Sequence, residues 1–288
     1  LLGTTHVYAL FRDYLEHKKN LIEQRPLPIA YFCAEYGLHH SIPVYAGGLV
    51  FLAGDILIES SDMDLPIIGL GFMYPHGYIR QVIGLDGWQN GVSEPVDRDA
   101  ALIERVLDKD LNHMILEVPY ITPKVYVAVW KVNVGRVSLY LLDTDIEQND
   151  PWDRHISSKL YTADLNQRVR QEIVLGIGGC RVLRALGIEY FILYLNEGHP
   201  AFALLERMRK FVEDGCDFEE ARKIVEEGSI FTIHTSLQAA TDVYSFDLMR
   251  RYFSKFAQDM KIDMEKLMSL GLNPDNPSSG FNMTALSL

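Results

Sequence analysis

Cysteine is scarce in this chain of 288 residues, and basic charge is scarcer than acidic. Cys33, Cys180 and Cys216 lie far apart and form no CxxC pair. That argues against a disulfide framework or a zinc site, and it suits a reducing compartment. Lysine and arginine number 27 against 39 aspartates and glutamates, a formal charge of −12. A surface that neutralises a phosphate backbone needs a basic footprint, so no nucleic-acid partner is expected. Long apolar runs are missing as well: Gly, Asp or Glu breaks each one short of the roughly 18 residues a membrane-spanning helix needs. The first residues, Leu1-Leu2-Gly3-Thr4-Thr5, show neither an initiating Met nor a signal pattern. The expectation is a cytoplasmic chain, without membrane contact, cut from something longer.

What is present is an ordinary apolar fraction, 48%, enough for a sizeable core. Pro28 to Ala34 is a short β-capable run. From Gly47 to Asp62, Leu49, Leu52, Ala53, Ile56, Leu57 and Ser60 recur at helical spacing. Leu65 to Phe72 is a second apolar run, so strand, helix and strand follow one another with tight connections. This is the βαβ pattern of a parallel sheet. Met114–Val118, Lys124–Val134 and Arg136–Asp143 are rich in Val, Tyr and Leu, and Asn133-Val134-Gly135-Arg136 predicts a hairpin turn. After it the βα rhythm returns. A helix is expected through Val169, Ile173, Val174, Ile177, Cys180 and Leu183, ending near Gly187. Then follow a strand over Tyr190–Leu195, helices over His199–Glu213 and Phe218–Glu227, and a strand over Ser229–His234. The fold class expected is α/β: a Rossmann-like, mainly parallel sheet with helices on both faces and a β-rich antiparallel insertion over about 74–145.

Ligands of such sheets bind beyond the carboxyl ends of the strands. Three junctions there carry polar chemistry. Ala46-Gly47-Gly48-Leu49 stands where a helix starts, and two glycines allow close backbone approach to a phosphate or sugar oxygen. No Gly-Lys-Ser or Gly-Lys-Thr follows, so it is not a P-loop. Asn196-Glu197-Gly198-His199-Pro200 follows an apolar strand. Helix capping accounts for the Asn and the Pro, but it does not ask for Glu197 and His199. His234 ends the run Phe231-Thr232-Ile233-His234-Thr235. A histidine at such a place is either a hydrogen-bonded core residue or a site residue. The acidic run Asp143, Asp145, Glu147, Asp150 starts like a calcium loop, but Gln148 stands where the turn Gly belongs and Arg154 where the closing Glu belongs, so no metal site is expected.

These junctions resemble the α-glucan (glycogen, starch or maltodextrin) phosphorylases, notably their shorter bacterial and archaeal branch. The matching stretches are AEYGLHHSIPVYAGGLVFLAGD (Ala34 to Asp55), LPIIGLGFMYPHGYIRQ (Leu65 to Gln81), GRVSLYLLDTD (Gly135 to Asp145) and RVRQEIVLGIGG (Arg168 to Gly179). LNEGHPAF (Leu195 to Phe202), FTIHT (Phe231 to Thr235) and FNMT (Phe281 to Thr284) follow in the family's order. The resemblance implies the amino-terminal lobe of a two-lobed, type B glycosyltransferase. Its activity would be glucosyl transfer from an α-1,4-glucan to inorganic phosphate, giving glucose 1-phosphate. Pyridoxal phosphate would be the cofactor of the complete enzyme, its phosphate acting as a proton shuttle.

By the same resemblance His234 would be catalytic, holding the reacting sugar through backbone and ring. Gly47, Gly48 and Leu49 would face the glucosyl and phosphate groups, Glu197 and His199 the glucan side, with Tyr74 and Gly77 as further lining. The family's cofactor lysine belongs to the other lobe, and no stretch of this sequence matches its surroundings. The implied partners are therefore a glucan, phosphate and a carboxyl-terminal lobe, with a homo-oligomer compatible, and no turnover is expected from this chain alone. Val50 stands where the family usually has Gly, and Ser236-Leu237-Gln238 where Pro-Val-Pro is usual. Methyl groups at Val50 would obstruct a closely approaching substrate. Hence the alternative of a glucan-binding or regulatory module that kept the scaffold, and a third of a nucleotide-sugar-dependent glucan synthase.

Overall fold

The computed structural model describes residues 27–39, 41–42, 48–76, 80–92, 95–159, 162–234 and 242–288. β1 (Ile29–Phe32), α1 (Gly48–Asp62) and β2 (Ile67–Phe72) form the expected unit. β1 and β2 pair in parallel, Ile29 opposite Ile67 through Phe32 opposite Leu70. A hairpin of β3 (Arg80–Ile83) and β4 (Gln89–Val92) stands as its own small sheet. β5 (Glu104–Arg105), β6 (Ile115–Val118), β7 (Val125–Val134) and β8 (Val137–Asp143) follow. The turn from β7 to β8 is the expected one, with Gly135 at φ +58°, a backbone that costs glycine little.

The hairpin is part of the main sheet. β8 pairs in parallel with β2, and β7 continues that sheet antiparallel, carrying β5 and β6 along its outer edge. On the other side β9 (Ile192–Asn196) pairs with β1 and β10 (Ser229–Thr232) pairs with β9, both in parallel. The order is β10-β9-β1-β2-β8-β7, and its five parallel members, from β10 to β8, release their carboxyl ends along one edge.

Helices cover both faces, as neighbouring residues of β2 show. A Cβ built on Gly69 would meet Leu57 of α1. Leu70 points the opposite way, to where a Cβ on Gly179 would lie 2.0 Å from its side chain. Gly179 opens α4 (Gly179–Ala185), which continues α3 (Leu165–Ile173) through a π-helical turn at Val174–Gly178; α2 (Pro151–Arg154) is a short turn before them. Asp164 caps α3 by accepting from the amides of Asn166 and Gln167. α5 (Phe202–Glu213) and α6 (Phe218–Glu227) separate β9 from β10. α5 starts three residues later than the sequence spacing predicts, because Gly198–Ala201 is used as a turn.

The last part is α7 (Phe246–Asp259), α8 (Met264–Ser269), the short pair β11 (Val243–Tyr244) and β12 (Phe281–Asn282), and α9 (Met283–Ser287). Met249, Tyr252, Phe253, Phe256 and Ala257 give α7 one buried stripe. No helix among the described residues is long and apolar enough to cross a membrane.

Candidate functional site

Four parallel strands end within a few residues of the polar junctions, so the sheet assembles them at one edge. β1 leads into Cys33, Glu35 and Gly37, β2 into Tyr74, β9 into Glu197, and β10 into His234. The exits are tied to one another. Tyr74 is buried and its hydroxyl donates to the Ala34 carbonyl at 2.7 Å, joining the β2 exit to the β1 exit. Gly37 N donates to the Val50 carbonyl at 2.8 Å, and its own carbonyl lies so close to α1 that a Cβ on Gly54 would come within 2.0 Å of it. This close packing seats the first turn of α1, with Gly48 and Leu49, at the same edge.

Glu197 has φ +63°, in the left-handed region that a side chain adopts at a cost. Two bonds hold it there. Its N–H donates to the Thr232 carbonyl at 2.9 Å, and its Oε1 accepts the backbone N–H of His234 at 2.7 Å. Asn196 is buried, and its Oδ1 lies 2.9 Å from His234 Nε2. Asn196 therefore holds the histidine ring instead of capping α5. His234 is itself exposed.

His199 lies deeper, with only 12% of its side chain exposed and Nε2 3.5 Å from Asp242 Oδ2. Asp242 also receives Arg168 at 2.9 Å, while Arg168 Nε lies 3.5 Å from Glu172, whose other oxygen accepts the Tyr244 hydroxyl at 2.7 Å. Burial, and then the Arg168 charge, push His199 down to about 4, so it is neutral at physiological pH. Burial followed by the Asp242 charge drives Glu172 well above the ordinary carboxylate range. Burial also works against the ionised form of Asp242, but Arg168 and His199 outweigh it and hold that carboxyl below its usual value. The cluster thus carries one clear ion pair, Arg168 with Asp242. It fastens α3 to the turn after β9 and to the chain just before β11.

Of the expected residues, Gly48, Leu49, Tyr74, Glu197, His199 and His234 all belong to this edge. Gly47 and Gly77 lie outside the described residues, as do Ser236, Leu237 and Gln238. A Cβ on Gly48 would meet nothing within 4 Å, so packing by the described residues does not demand glycine there. Val50 is fully buried, with one methyl beside Gly37 of the β1 exit. Arg168 and Asp242 were not picked out from the sequence as site-supporting; the two are 74 residues apart, beyond any local pattern.

Among the described residues no cluster of His, Cys, Asp and Glu is arranged to hold a metal ion. No described lysine is buried, and Lys124, Lys210, Lys223, Lys255 and Lys266 sit in surface ion pairs. A Schiff-base lysine needs a desolvated setting, so these residues do not fit a covalent anchor for pyridoxal phosphate. A groove of about 530 Å³ lies elsewhere, beside β10, and its charged residues Arg222, Glu226 and Lys266 are already paired.

An α/β sheet with polar loops and a glycine-led helix gathered at its carboxyl edge is the build of a ligand-binding lobe. Comparison with known proteins narrows the class. The family model described as carbohydrate phosphorylase matches residues 183–272. A glycogen phosphorylase of Aquifex aeolicus is 43% identical over 283 residues, covering 98% of this chain and 41% of that protein. A maltodextrin phosphorylase of Thermococcus litoralis is 42% identical over 261 residues, covering 91% and 31%. A glycogen phosphorylase of Mycobacterium tuberculosis is 35% identical over 276 residues, covering 91% and 32%. The chain belongs to the carbohydrate phosphorylase family, and it spans less than half the length of these relatives.

Proposed function

We propose that this chain forms the sugar-holding wall of an α-glucan phosphorylase crevice, where a terminal glucosyl unit passes from an α-1,4-glucan to inorganic phosphate. The observation that carries the reading is the junction of Glu197 and His234, two chemically capable groups fastened together at the carboxyl edge. The relatives, a glycogen phosphorylase and a maltodextrin phosphorylase, support the choice of ligand.

In this reading the His234 ring and backbone hold the reacting sugar and support the oxocarbenium-like state. Gly47, Gly48 and Leu49 face the glucosyl and phosphate oxygens at the helix start, where amide N–H groups favour anions. Glu197 and His199 define the glucan side, with Tyr74 and Gly77 as further lining. Glu197 acts partly through His234, since one of its oxygens holds that residue's amide. His199 acts through Asp242. Phosphorolysis needs water kept out, which an opposing lobe closing on this wall provides. The family's pyridoxal phosphate would be carried by that lobe, as nothing described here anchors it. Three free thiols accord with a cytoplasmic setting.

The test is calorimetry of the 288-residue chain with maltoheptaose, alongside an assay for glucose 1-phosphate in the presence of phosphate and pyridoxal phosphate. Binding that is lost in His234→Ala, with no glucose 1-phosphate formed, is expected. The missing rate reflects lost positioning, whose effective molarity reaches about 10⁵–10⁸ M in favourable cases. Glucose 1-phosphate produced by this chain alone would refute the division of labour, and absence of maltoheptaose binding would refute the glucan.

A further inference from the structure

The histidine at the rim is held by a hydrogen-bond chain whose polarity is set by its far end. Cys33 Sγ lies 3.1 Å from the Glu35 carbonyl oxygen, which can only accept. Cys33 therefore commits its one proton to that carbonyl. Burial pushes the thiol up to about 12, so the proton stays in place. The sulfur is left as an acceptor, and the group 3.1 Å from it is the Asn196 side-chain amide nitrogen, Nδ2. This assigns the two ends of the amide, which are otherwise hard to tell apart. Asn196 Oδ1 then faces His234 Nε2 at 2.9 Å and must accept from it.

We propose that Cys33 and Asn196 are positioning residues that lock His234 as the Nε2-protonated tautomer, leaving Nδ1 as an acceptor for a donor hydroxyl of the bound sugar. Its last clause rests on the glucan reading above. An acceptor nitrogen suits a neutral O–H and disfavours an anionic oxygen, so the lock also assigns His234 to the sugar and the helix start at Gly48 to the phosphate. Cys33 touches no ligand in this arrangement. It acts two hydrogen bonds away, as a polarity setter, and serine, the substitution closest to it in size, can likewise donate to Glu35 and accept from Asn196.

The experiment is long-range ¹H–¹⁵N spectroscopy of the ¹⁵N-histidine-labelled chain without glucan, His234 being assigned by its absence from the spectrum of His234→Gln. The expected spectrum shows His234 in one tautomer, protonated at Nε2 and with a protected Nε2–H signal. Cys33→Ser should keep that state. Cys33→Ala and Asn196→Ala should lower the tautomer ratio about fivefold, the worth of one net hydrogen bond, and lose the protected signal. Unchanged signals from the remaining histidines report that each variant is folded. His234 protonated at Nδ1 or evenly mixed in the unsubstituted chain would overturn the proposal, as would an Asn196→Ala spectrum identical to it. Cys33→Ser behaving like Asn196→Ala would remove Cys33 from the lock. Since no glucan is present, these results are independent of maltoheptaose binding, whose failure would count only against the glucan reading.

Discussion

Replacing Glu197 by alanine and by glycine separates two energies that its loop combines. The carboxylate accepts the His234 amide at 2.7 Å while the backbone sits at φ +63°. A hydrogen bond to a charged acceptor contributes about 1.5–3 kcal/mol, and a side chain in the left-handed region costs roughly 1–2 kcal/mol. Glu197→Ala loses the bond and keeps the strain, so it should destabilise by about 1.5–3 kcal/mol. Glu197→Gly loses the bond but relieves the strain, for a net loss of about 0.5–2 kcal/mol. Glycine should therefore be the milder change by about 1 kcal/mol, the reverse of the order expected within a helix or strand. Equilibrium urea unfolding at pH 7 measures both, provided the denaturant slope is unchanged. Alanine equal to or better than glycine would show that the backbone is not strained. Both variants within about 0.5 kcal/mol of the parent would show that the carboxylate does not hold the β10 exit.

Other predictions rest on the titrating and close-packed groups. His199, held down to about 4 against 6.5, contributes stability above pH 6.5 that is lost as pH falls towards 4, about 3 kcal/mol in all. His199→Gln should flatten that limb of a stability-versus-pH curve, and an unchanged limb would refute the assignment. Asp143 is pushed the other way, up to about 6 by burial, with Arg98 opposing at 2.9 Å. It contributes stability below pH 3.8 that is lost as pH rises through 6, so the advantage of Asp143→Asn over the parent should grow by about 3 kcal/mol between those values in urea titrations. Gly54→Ala would drive a methyl into the Gly37 carbonyl, and a loss of about 3 kcal/mol in thermal unfolding is expected, with weaker maltoheptaose binding as the start of α1 moves.

Much of the fold was legible because its signals are local. Ile67–Phe72 and Ile192–Asn196 are short apolar strands, and α6 and the bounds of α1 follow the apolar spacing, although the buried face of α1 runs through Val50, Ala53, Gly54, Leu57, Ser60 and Ser61 and leaves Leu52 exposed. Helix α7 was equally legible, with Met249, Tyr252, Phe253 and Phe256 at helical spacing, but that stretch received no assignment from the sequence. β5, β11 and β12 have only two residues each and exist through their partners, so no pattern announces them. For the candidate site, polar residues straight after apolar strands marked Glu197 and His234 as candidates, and the structure places both at the carboxyl edge. Their bond to each other was not visible, nor was the left-handed turn at Glu197, since glutamate is not a residue that signals positive φ. His199 was readable as a polar group at the right edge, yet its partners Asp242 and, through it, Arg168 come together only when the sheet is complete.

The polarity chain from Glu35 to His234 joins segments separated by 163 and 38 positions along the polypeptide. Contacts of such span form late, after the intervening strands have docked. A peptide bearing only Asn196 to His199, or a chain halted before β10, would possess the letters of the motif without its grip. Capture of a glucan would then serve as a readout of completed assembly, more exacting than circular dichroism, because helices can be native while the rim is still unmade.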